Sequence, residues 1–251
     1  MTNLRLERDG PIGRILIDRP EKRNAFNQEM WEQFPVLLGA ALIDRAIRVV
    51  VVQSPTAGMF CAGADITEML AHKDNAAWRA ANQDAINRTQ HELARFAKPT
   101  IALIDGDCVG GGCGIAMACD IRVATPRARV GITPAKLGLV YPLHDTKLLV
   151  DLVGPGQAKR LLFTGQLLSA EEAMKIGLVE LIDESATPLA QQIAANSAHS
   201  IHEMKGFVRR ILDGQADDNL ETKNIFADAF AKPDFAEGSD AFVNKRKPEF
   251  K

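Results

Sequence analysis

A cluster of glycines opens an unbroken apolar run at residues 109–120, VGGGCGIAMACD, and no other feature of the sequence constrains the fold as strongly. A glycine inside a helix costs about 1 kcal/mol relative to alanine, so a helix that begins with three of them needs a reason for them. The preceding segment PTIALIDG is typical of a buried strand that ends at a glycine. The order predicts glycine-rich backbone at a helix N-terminus, where unpaired N–H groups can approach a ligand closely.

Strand-like and helix-like segments alternate through the first part of the chain. LRLERDGPIGRILIDRP predicts a hairpin that turns at residues 9–13. Apolar spacing predicts helices over residues 28–45 and 76–97. RVVVVQS predicts a strand covered on both faces, and DIRVA predicts another strand at 120–124. This alternation predicts an α/β fold with right-handed crossovers.

The pattern changes after Tyr141, where nearly every segment is helical except LVELID at residues 178–183. We therefore expect an α/β core at residues 1–190 and a helical C-terminal region at residues 191–251. The chain has no linker, repeat or low-complexity segment that would separate further domains.

Composition and charge exclude several classes of protein. The chain of 251 residues is 46% apolar and 25% charged, which is globular composition, and its net charge of −2 gives no basic field for nucleic acid. Its apolar runs are too short to span a membrane, and its N-terminus lacks a secretory signal pattern. The four cysteines follow no zinc-binding spacing and predict buried, reduced thiols in a cytoplasmic protein: Cys61, Cys108, Cys113 and Cys119.

A second turn of small residues, FCAGADI at residues 60–66, follows the strand VVVVQS and precedes another helical segment. Two strand-to-helix turns of this kind can supply two converging N–H donors. Such a pair can hold a phosphate or a developing oxyanion. The glycine cluster has no Lys-Ser/Thr after it and therefore does not match a nucleotide-binding P-loop.

Together, FCAGAD and GGGCG resemble the crotonase superfamily, also called the enoyl-CoA hydratase/isomerase family. The segments IDRPEKRNAFN, CDIRVATPRARVG, LGLVYP, LLFTGQLLSAEEAMKIGLVE and DAFVNKRKPEF resemble family segments in family order and extend the similarity over nearly the whole chain. The resemblance implies a spiral of ββα units, like that of ClpP. It also implies C-terminal helices that assemble a homotrimer or a dimer of trimers.

The resemblance also implies an acyl-CoA substrate and an enolate intermediate, with the thioester oxygen held by the backbone amides of Ala64 and Gly111. Coenzyme A is then part of the substrate, and no separate cofactor and no metal are expected. By position in the family motifs, the residues expected to contact coenzyme A are Lys22, Arg23, Ala25, Ala62, Asp65, Ile66, Phe242, Lys245 and Arg246.

Two positions depart from the family pattern. Family hydratases add water with two glutamates, and the matching positions here are Gly114 and Pro134, or Ala135 if the alignment slips by one residue. None of these side chains can transfer a proton, although general acid–base catalysis needs a titratable group near the substrate. Ordinary hydration and single-glutamate isomerisation are therefore not expected, and glutamates placed at 114 and 134 should increase crotonyl-CoA hydration.

TPAKLGLVY, which ends at Tyr141, resembles the segment T-P-x-x-L-G-x-x-Y of methylmalonyl-CoA decarboxylase. The matching tyrosine of that enzyme contacts the substrate carboxylate. That enzyme has a histidine at the position of Ala64 and keeps the first glutamate, and this chain has neither. Decarboxylation of a malonyl-type thioester forms an enolate without a base, so a site without the glutamates suits it.

His144, with Asp145 beside it, is the leading alternative acid–base group, since histidine titrates near working pH. A helix through this segment would place His144 on the face of Tyr141. Lys136 is a weaker candidate. His199 and His202 lack the further ligand that a metal site needs.

Three functions are compatible with these residues. The first is an acyl-CoA lyase, with decarboxylation as its most concrete reaction. The second is a hydratase or isomerase of an unusual enoyl-CoA that uses Tyr141, His144 or water for proton transfer. The third is an acyl-CoA-binding protein without activity.

Overall fold

Strands and short helices alternate along the chain in the computed structural model, which describes residues 3–250. This part of the chain forms ten strands: β1 (Leu4–Asp9), β2 (Ile12–Ile17), β3 (Val49–Gln53), β4 (Met59–Cys61), β5 (Thr100–Ile104), β6 (Asp107–Val109), β7 (Ile121–Ala124), β8 (Arg129–Gly131), β9 (Leu167–Ser169) and β10 (Leu181–Ile182). It also forms ten α-helices: α1 (Gln28–Ile43), α2 (Ile66–Ala71), α3 (Ala76–Ala94), α4 (Gly111–Ala118), α5 (Leu143–Thr164), α6 (Ala170–Lys175), α7 (Thr187–Ala194), α8 (Ala198–Leu212), α9 (Leu220–Ala229) and α10 (Pro233–Val243).

The larger sheet has the strand order β1-β2-β3-β5-β7-β10. β1 and β2 form the predicted antiparallel hairpin, in which Gly10 adopts a φ of +57° at the turn. The other neighbours are parallel. Val49, Val50, Val51 and Val52 are all buried, because elements cover both faces of β3.

The smaller sheet has the order β4-β6-β8-β9, with β9 antiparallel to β8. Each of its strands has three residues, which is too short to show a periodicity in sequence. The prediction of an almost wholly helical region after Tyr141 was therefore wrong at β9, which pairs with β8 from Leu167 to Ser169. The predicted strand at 178–183 is confirmed, but it is limited to β10.

A repeating unit of two strands and a helical segment relates the two sheets. β3, β5 and β7 each enter the larger sheet, and the strands that follow them, β4, β6 and β8, enter the smaller one. Helical segments then connect to the next unit, and the successive units add neighbouring strands. This arrangement confirms the expected ββα spiral. It buries α4 from Gly112 to Ala118 and places its first turn beside β4 and β6.

The last four helices follow β10. α7 packs on β2 and β3 through Ala190 and Ala194, and α8 is tied to the core by an ion pair of 2.7 Å between Lys205 and Asp120. The expected division into regions 1–190 and 191–251 stays a prediction, and its terminal residues 1 and 251 lie outside the described part. None of the helices described is long and apolar enough to cross a membrane.

Candidate functional site

The backbone amides of Ala64 and Gly111 lie close together where the turns before α2 and α4 meet. Phe26 and Ala64 form a parallel β-bridge, in which Phe26 N–H donates to Gly63 O (2.8 Å) and Asp65 N–H donates to Phe26 O (2.8 Å). Because the neighbours of Ala64 make both of these hydrogen bonds, the N–H of Ala64 itself points away from Phe26. Within residues 3–250 the Ala64 N–H donates no hydrogen bond. Gly111 is the first residue of α4, where an N–H has no partner inside the helix.

Glycines make this convergence possible. A Cβ added to Gly63, whose φ is +99°, would lie 2.8 Å from Val109 O and 3.3 Å from Gly111 N. A Cβ on Gly111 would lie 3.6 Å from Ala64 N and 3.2 Å from the nearest ring carbon of the buried Trp31. The structure therefore brings the two predicted donors together. The glycines allow the backbone before α4 to approach the backbone before α2 closely.

The two segments predicted to contact coenzyme A near the N-terminus lie side by side. The Ala62 N–H donates to Arg23 O over 3.0 Å, and residues 23 and 24 adopt left-handed backbone with φ of 54° and 57°. This bend brings Lys22 and Ala25 close to the turn before α2. Ile66 begins that helix and is partly exposed.

Asp65 has a structural role in this region. Its carboxylate caps α2 by accepting from Thr67 N–H and Glu68 N–H, and it pairs with Arg19 at 2.9 Å. Burial raises its pKa, but the Glu68 hydrogen bond and Arg19 outweigh burial and hold the pKa below its ordinary value. Asp65 is thus a buried anion that fixes the turn.

The basic residues of this region differ in their partners. The Arg23 guanidinium pairs with Asp107 at the start of β6. Lys22 forms no ion pair within residues 3–250 and is exposed. Lys22 is therefore the cation most available to a phosphate in this region.

The C-terminal candidates lie in another part of the chain. Phe242 on α10 is 85% exposed and faces a cavity of about 470 Å³ that Ser197 and Phe250 also line. Lys245 follows α10 with a φ of +50°. Arg246 pairs with Glu237 and Asp240 of the same helix. These C-terminal residues lie close to one another and do not contact residues 20–26 within the described part of the chain.

Another pair of side chains fills the space beside Gly114. A Cβ at Gly114 would overlap the amide nitrogen of Gln90 from α3 and would lie 2.8 Å from Asp145 Oδ2 from α5. Gln90 and Asp145 are 0% and 1% exposed. Burial raises the Asp145 pKa above its ordinary value, and His144 and Gln90 offset part of the rise. A carboxyl group thus lies beside a position where the family pattern has glutamate.

The second position, Pro134, begins a 3-10 turn over Pro134–Leu137 that leaves Ala135 exposed. Lys136 in this turn packs its side chain against Gly165 after α5. Lys136 is not among the residues that line the cavity described below, which argues against the expectation that it reaches the site.

Tyr141 is buried and donates its hydroxyl hydrogen to Gly110 O over 3.0 Å. Burial, followed by the charge of Asp145, raises its pKa well above the ordinary value. The expectation that Tyr141 and His144 share one face of a helix was wrong, because α5 begins at Leu143 and does not include Tyr141. The two residues nevertheless line one cavity.

This cavity, of about 690 Å³, lies between α3 and the start of α5. His91 of α3 faces His144 across it, with ring centroids 5.8 Å apart. Burial and Arg95 lower the pKa of His91. The lining residues are Gln83, Asn87, Arg88, His91, Glu92, Val140, Tyr141, Pro142, Leu143 and His144.

Gln90 and His91 were not predicted as site residues, and Asp145 was expected only as the neighbour of His144. Gln90 and His91 sit on a polar helix, and no motif marks them. They reach the site because α3 packs against α4 and α5, a contact that no local pattern encodes.

The cysteines are not candidates for nucleophilic catalysis. All four are buried and free, as expected. Burial raises the pKa of the Cys61 and Cys119 thiols to about 12, so neither is a thiolate near neutral pH.

Comparisons with known proteins show similar sequences and a similar structure. The model of the family described as enoyl-CoA hydratase/isomerase matches residues 7–251. The chain is 32% identical to the short-chain-enoyl-CoA hydratase of Clostridium acetobutylicum, over 99% of this chain and 97% of the relative. It is 33% identical to the 2,3-dehydroadipyl-CoA hydratase of Escherichia coli, over 100% and 99%. An enoyl-CoA hydratase/isomerase family protein from Hyphomonas neptunium has a similar structure, with a TM-score of 0.95, 37% identity and coverage of 100% and 98%.

Proposed function

Because the chain belongs to the enoyl-CoA hydratase/isomerase family, we propose that it acts on an acyl-CoA thioester and stabilises an enolate with the N–H groups of Ala64 and Gly111. The observation that carries this proposal is the proximity of two amides that have no hydrogen-bond partner within residues 3–250. Preorganised donors of this kind stabilise negative charge that develops on a carbonyl oxygen. The Clostridium and Escherichia relatives are named hydratases of CoA compounds, which supports a thioester substrate.

Coenzyme A, as part of the substrate, would bind along residues 20–26 and the turn before α2. Lys22 is the exposed cation there, and its charge would attract the phosphates of coenzyme A. Arg23 would have to share its guanidinium with Asp107. Ala25, Ala62 and Ile66 would offer apolar surface, while Asp65 holds the turn in place.

Decarboxylation of a malonyl-type acyl-CoA is the reaction we favour. The bond between the α-carbon and the carboxylate breaks, its electron pair forms the enolate, and CO₂ leaves. The reaction needs an oxyanion site and no glutamate at 114 or 134. The cavity beside Tyr141 presents side chains that can donate to a carboxylate, namely Asn87, Arg88, His91 and His144. The Tyr141 hydroxyl already donates to Gly110 O, so Tyr141 would shape the wall while the other groups meet the carboxylate.

Hydration or isomerisation of an unusual enoyl-CoA is the second candidate. One observation favours it, which is the buried carboxyl of Asp145 beside Gly114. A carboxyl there could act as a general base or acid, although it arises from a different helix than the family glutamate.

Product analysis separates these reactions. We expect that incubation with a panel of malonyl-type and enoyl-CoA thioesters will give, by mass spectrometry, a product 44 Da lighter from a malonyl-type substrate, since the mass of CO₂ is lost. A product about 18 Da heavier from an enoyl-CoA would instead establish hydration. Binding of saturated acyl-CoA without any turnover across the panel would contradict both and support a binding protein without activity.

We also propose that the chain assembles as a homotrimer or a dimer of trimers. The region from α8 to α10 leaves large apolar side chains exposed, and such patches mark interaction surfaces. They include Met204, Val208, Ile211, Phe226, Phe230, Phe235 and Phe242. Light scattering should give three or six times the chain mass of 27.3 kDa. A monodisperse species of one chain mass would contradict the assembly.

We propose a cytoplasmic location because the cysteines are reduced. Four buried thiols without a disulfide suit a reducing compartment.

A further inference from the structure

Four buried polar atoms near Gly114 have no hydrogen-bond partner among residues 3–250. They are Gln90 Nε2 and Oε1, and Asp145 Oδ1 and His144 Nδ1, which lie 3.5 Å from each other without an aligned hydrogen bond. Buried polar groups are almost always paired in folded proteins. A cluster of unpaired atoms therefore indicates a place for a water molecule or for a polar group of a ligand.

This cluster lies on the face of α4 that carries the predicted oxyanion donor. Gly111 and Gly114 are three residues apart, so they share a helix face and are separated by about 4.5 Å along the axis. Trp31 and Ala64 N border the first position, and Gln90 and Asp145 border the second. The Tyr141 hydroxyl bonds to Gly110 O beside them. A carboxyl group therefore stands one helical turn from the amide that would hold the thioester oxygen.

We infer that the Asp145 carboxyl transfers the proton at the α-carbon of the thioester, in place of the glutamate that is absent at position 114. The inference rests on the proposed enolate chemistry and names the group that completes it. After loss of CO₂, the α-carbon takes a proton from Asp145, and the enolate electrons re-form the thioester carbonyl. In the reverse direction, the Asp145 carboxylate removes an α-hydrogen from the saturated product.

The surroundings support this role. The groups facing Asp145 are Tyr141, His144 and the Gln90 amide, and the Cys113 thiol of α4 lies near Tyr141. Burial raises the Asp145 pKa, which increases the protonated fraction at a given pH. His144 Nδ1 lies 3.5 Å from Asp145 Oδ1, and both His144 and His91 line the solvent-connected cavity. His144 thus connects the carboxyl to water for reprotonation, and the Gln90 amide lies beside the carboxyl.

Hydrogen exchange tests Asp145 without requiring decarboxylation. Propionyl-CoA is incubated with the full-length protein in D₂O, and deuterium at the α-carbon is followed by mass spectrometry and NMR. We expect Asp145→Asn to lower the exchange rate by at least about 100-fold, the usual lower size of a general acid–base contribution. Asp151→Asn is the matched control, since Asp151 lies on the surface of the same helix and pairs with Lys147. It should exchange at the wild-type rate.

Release of CO₂ from methylmalonyl-CoA is measured with the same proteins. We expect Asp145→Asn to keep CO₂ release within about tenfold of wild type, because breaking the carbon–carbon bond does not need this proton. If exchange depends on Asp145 but no CO₂ is released, the inference on Asp145 stands and the proposed decarboxylation is contradicted. Equal exchange in wild type and Asp145→Asn, or no exchange in wild type, would overturn the inference.

Folding is checked by circular dichroism, and Asp145→Ser serves if the asparagine variant does not fold. A measurement on the wild type alone gives a further check. A fixed carboxyl approaches the α-carbon from one side, so one of the two α-hydrogens of propionyl-CoA should exchange far faster than the other. Equal exchange of both would contradict the assignment.

Discussion

Replacement of Gly111 by proline is expected to lower turnover of any acyl-CoA substrate by 100-fold or more in a protein that stays folded. Proline has no N–H, and loss of one oxyanion donor costs about 10²–10³ in rate. The helix tolerates the change, because Gly111 is the first residue of α4, where proline fits well. Gly110, with φ 55° and ψ −115°, is already outside the α region that proline disfavours in the residue before it.

Gly111→Ala is the matched control. Both substitutions add a Cβ at 3.2 Å from a ring carbon of Trp31, but alanine keeps the N–H. We expect the alanine variant to lose less than about tenfold, so the difference between the two variants reports on the hydrogen bond. Steady-state kinetics on the best substrate of the panel, with circular dichroism and thermal melting for the fold, measures it. A folded proline variant with the wild-type rate would remove Gly111 from the oxyanion site.

The longer elements of the fold could be predicted because each shows its own pattern. The hairpin turn at Gly10, the apolar run of β3 and the amphipathic spacing of α1 are local features, and all three elements formed. Their ends were less accurate: α1 stops at Ile43 and α3 at Ala94, whereas the spacing predicted residues 45 and 97. The short strands β4, β6, β8 and β9 are stabilised by pairing with distant strands, and three residues carry no periodicity of their own.

The part of the site that consists of backbone N–H groups could be predicted from the sequence. Small residues around Ala64 and glycines around Gly111 are readable in sequence, and the structure brings both turns together. The groups around Gly114 were not readable. Gln90 and Asp145 lie 55 positions apart on helices α3 and α5, and only packing against α4 shows that they fill the space of an absent side chain. A missing glutamate was visible in the sequence, while the carboxyl beside its place was not.

Wild-type protein is expected to hydrate crotonyl-CoA no faster than about 0.1 s⁻¹. Hydration also needs a group that activates the water attacking the β-carbon, and neither residue 114 nor residue 134 has a titratable side chain that could do so. Loss of general acid–base catalysis costs about 10²–10⁴ in rate, measured against a typical enzyme rate of about 10 s⁻¹. The rate is followed by the loss of enoyl-thioester absorbance. A rate of about 10 s⁻¹ or more would show that Asp145, His144 or Tyr141 activates the attacking water.

The structure changes how glutamates must be introduced to raise that rate. A side chain at 114 would overlap the Gln90 amide, so Gly114→Glu with Pro134→Glu alone is expected to destabilise the packing of α3 on α4. A Gln90→Ala background removes the Gln90 overlap, and the Asp145 carboxyl, 2.8 Å from the added Cβ, must still shift. We expect the two glutamates to increase crotonyl-CoA hydration at least tenfold over the same background with glutamines at 114 and 134. The glutamine protein matches the size of the new side chains and lacks their titration. Equal rates in the two proteins would mean that carboxylates at these positions do not reach the bound enoyl group, and hence that the correspondence of Gly114 and Pro134 to the hydratase glutamates is wrong.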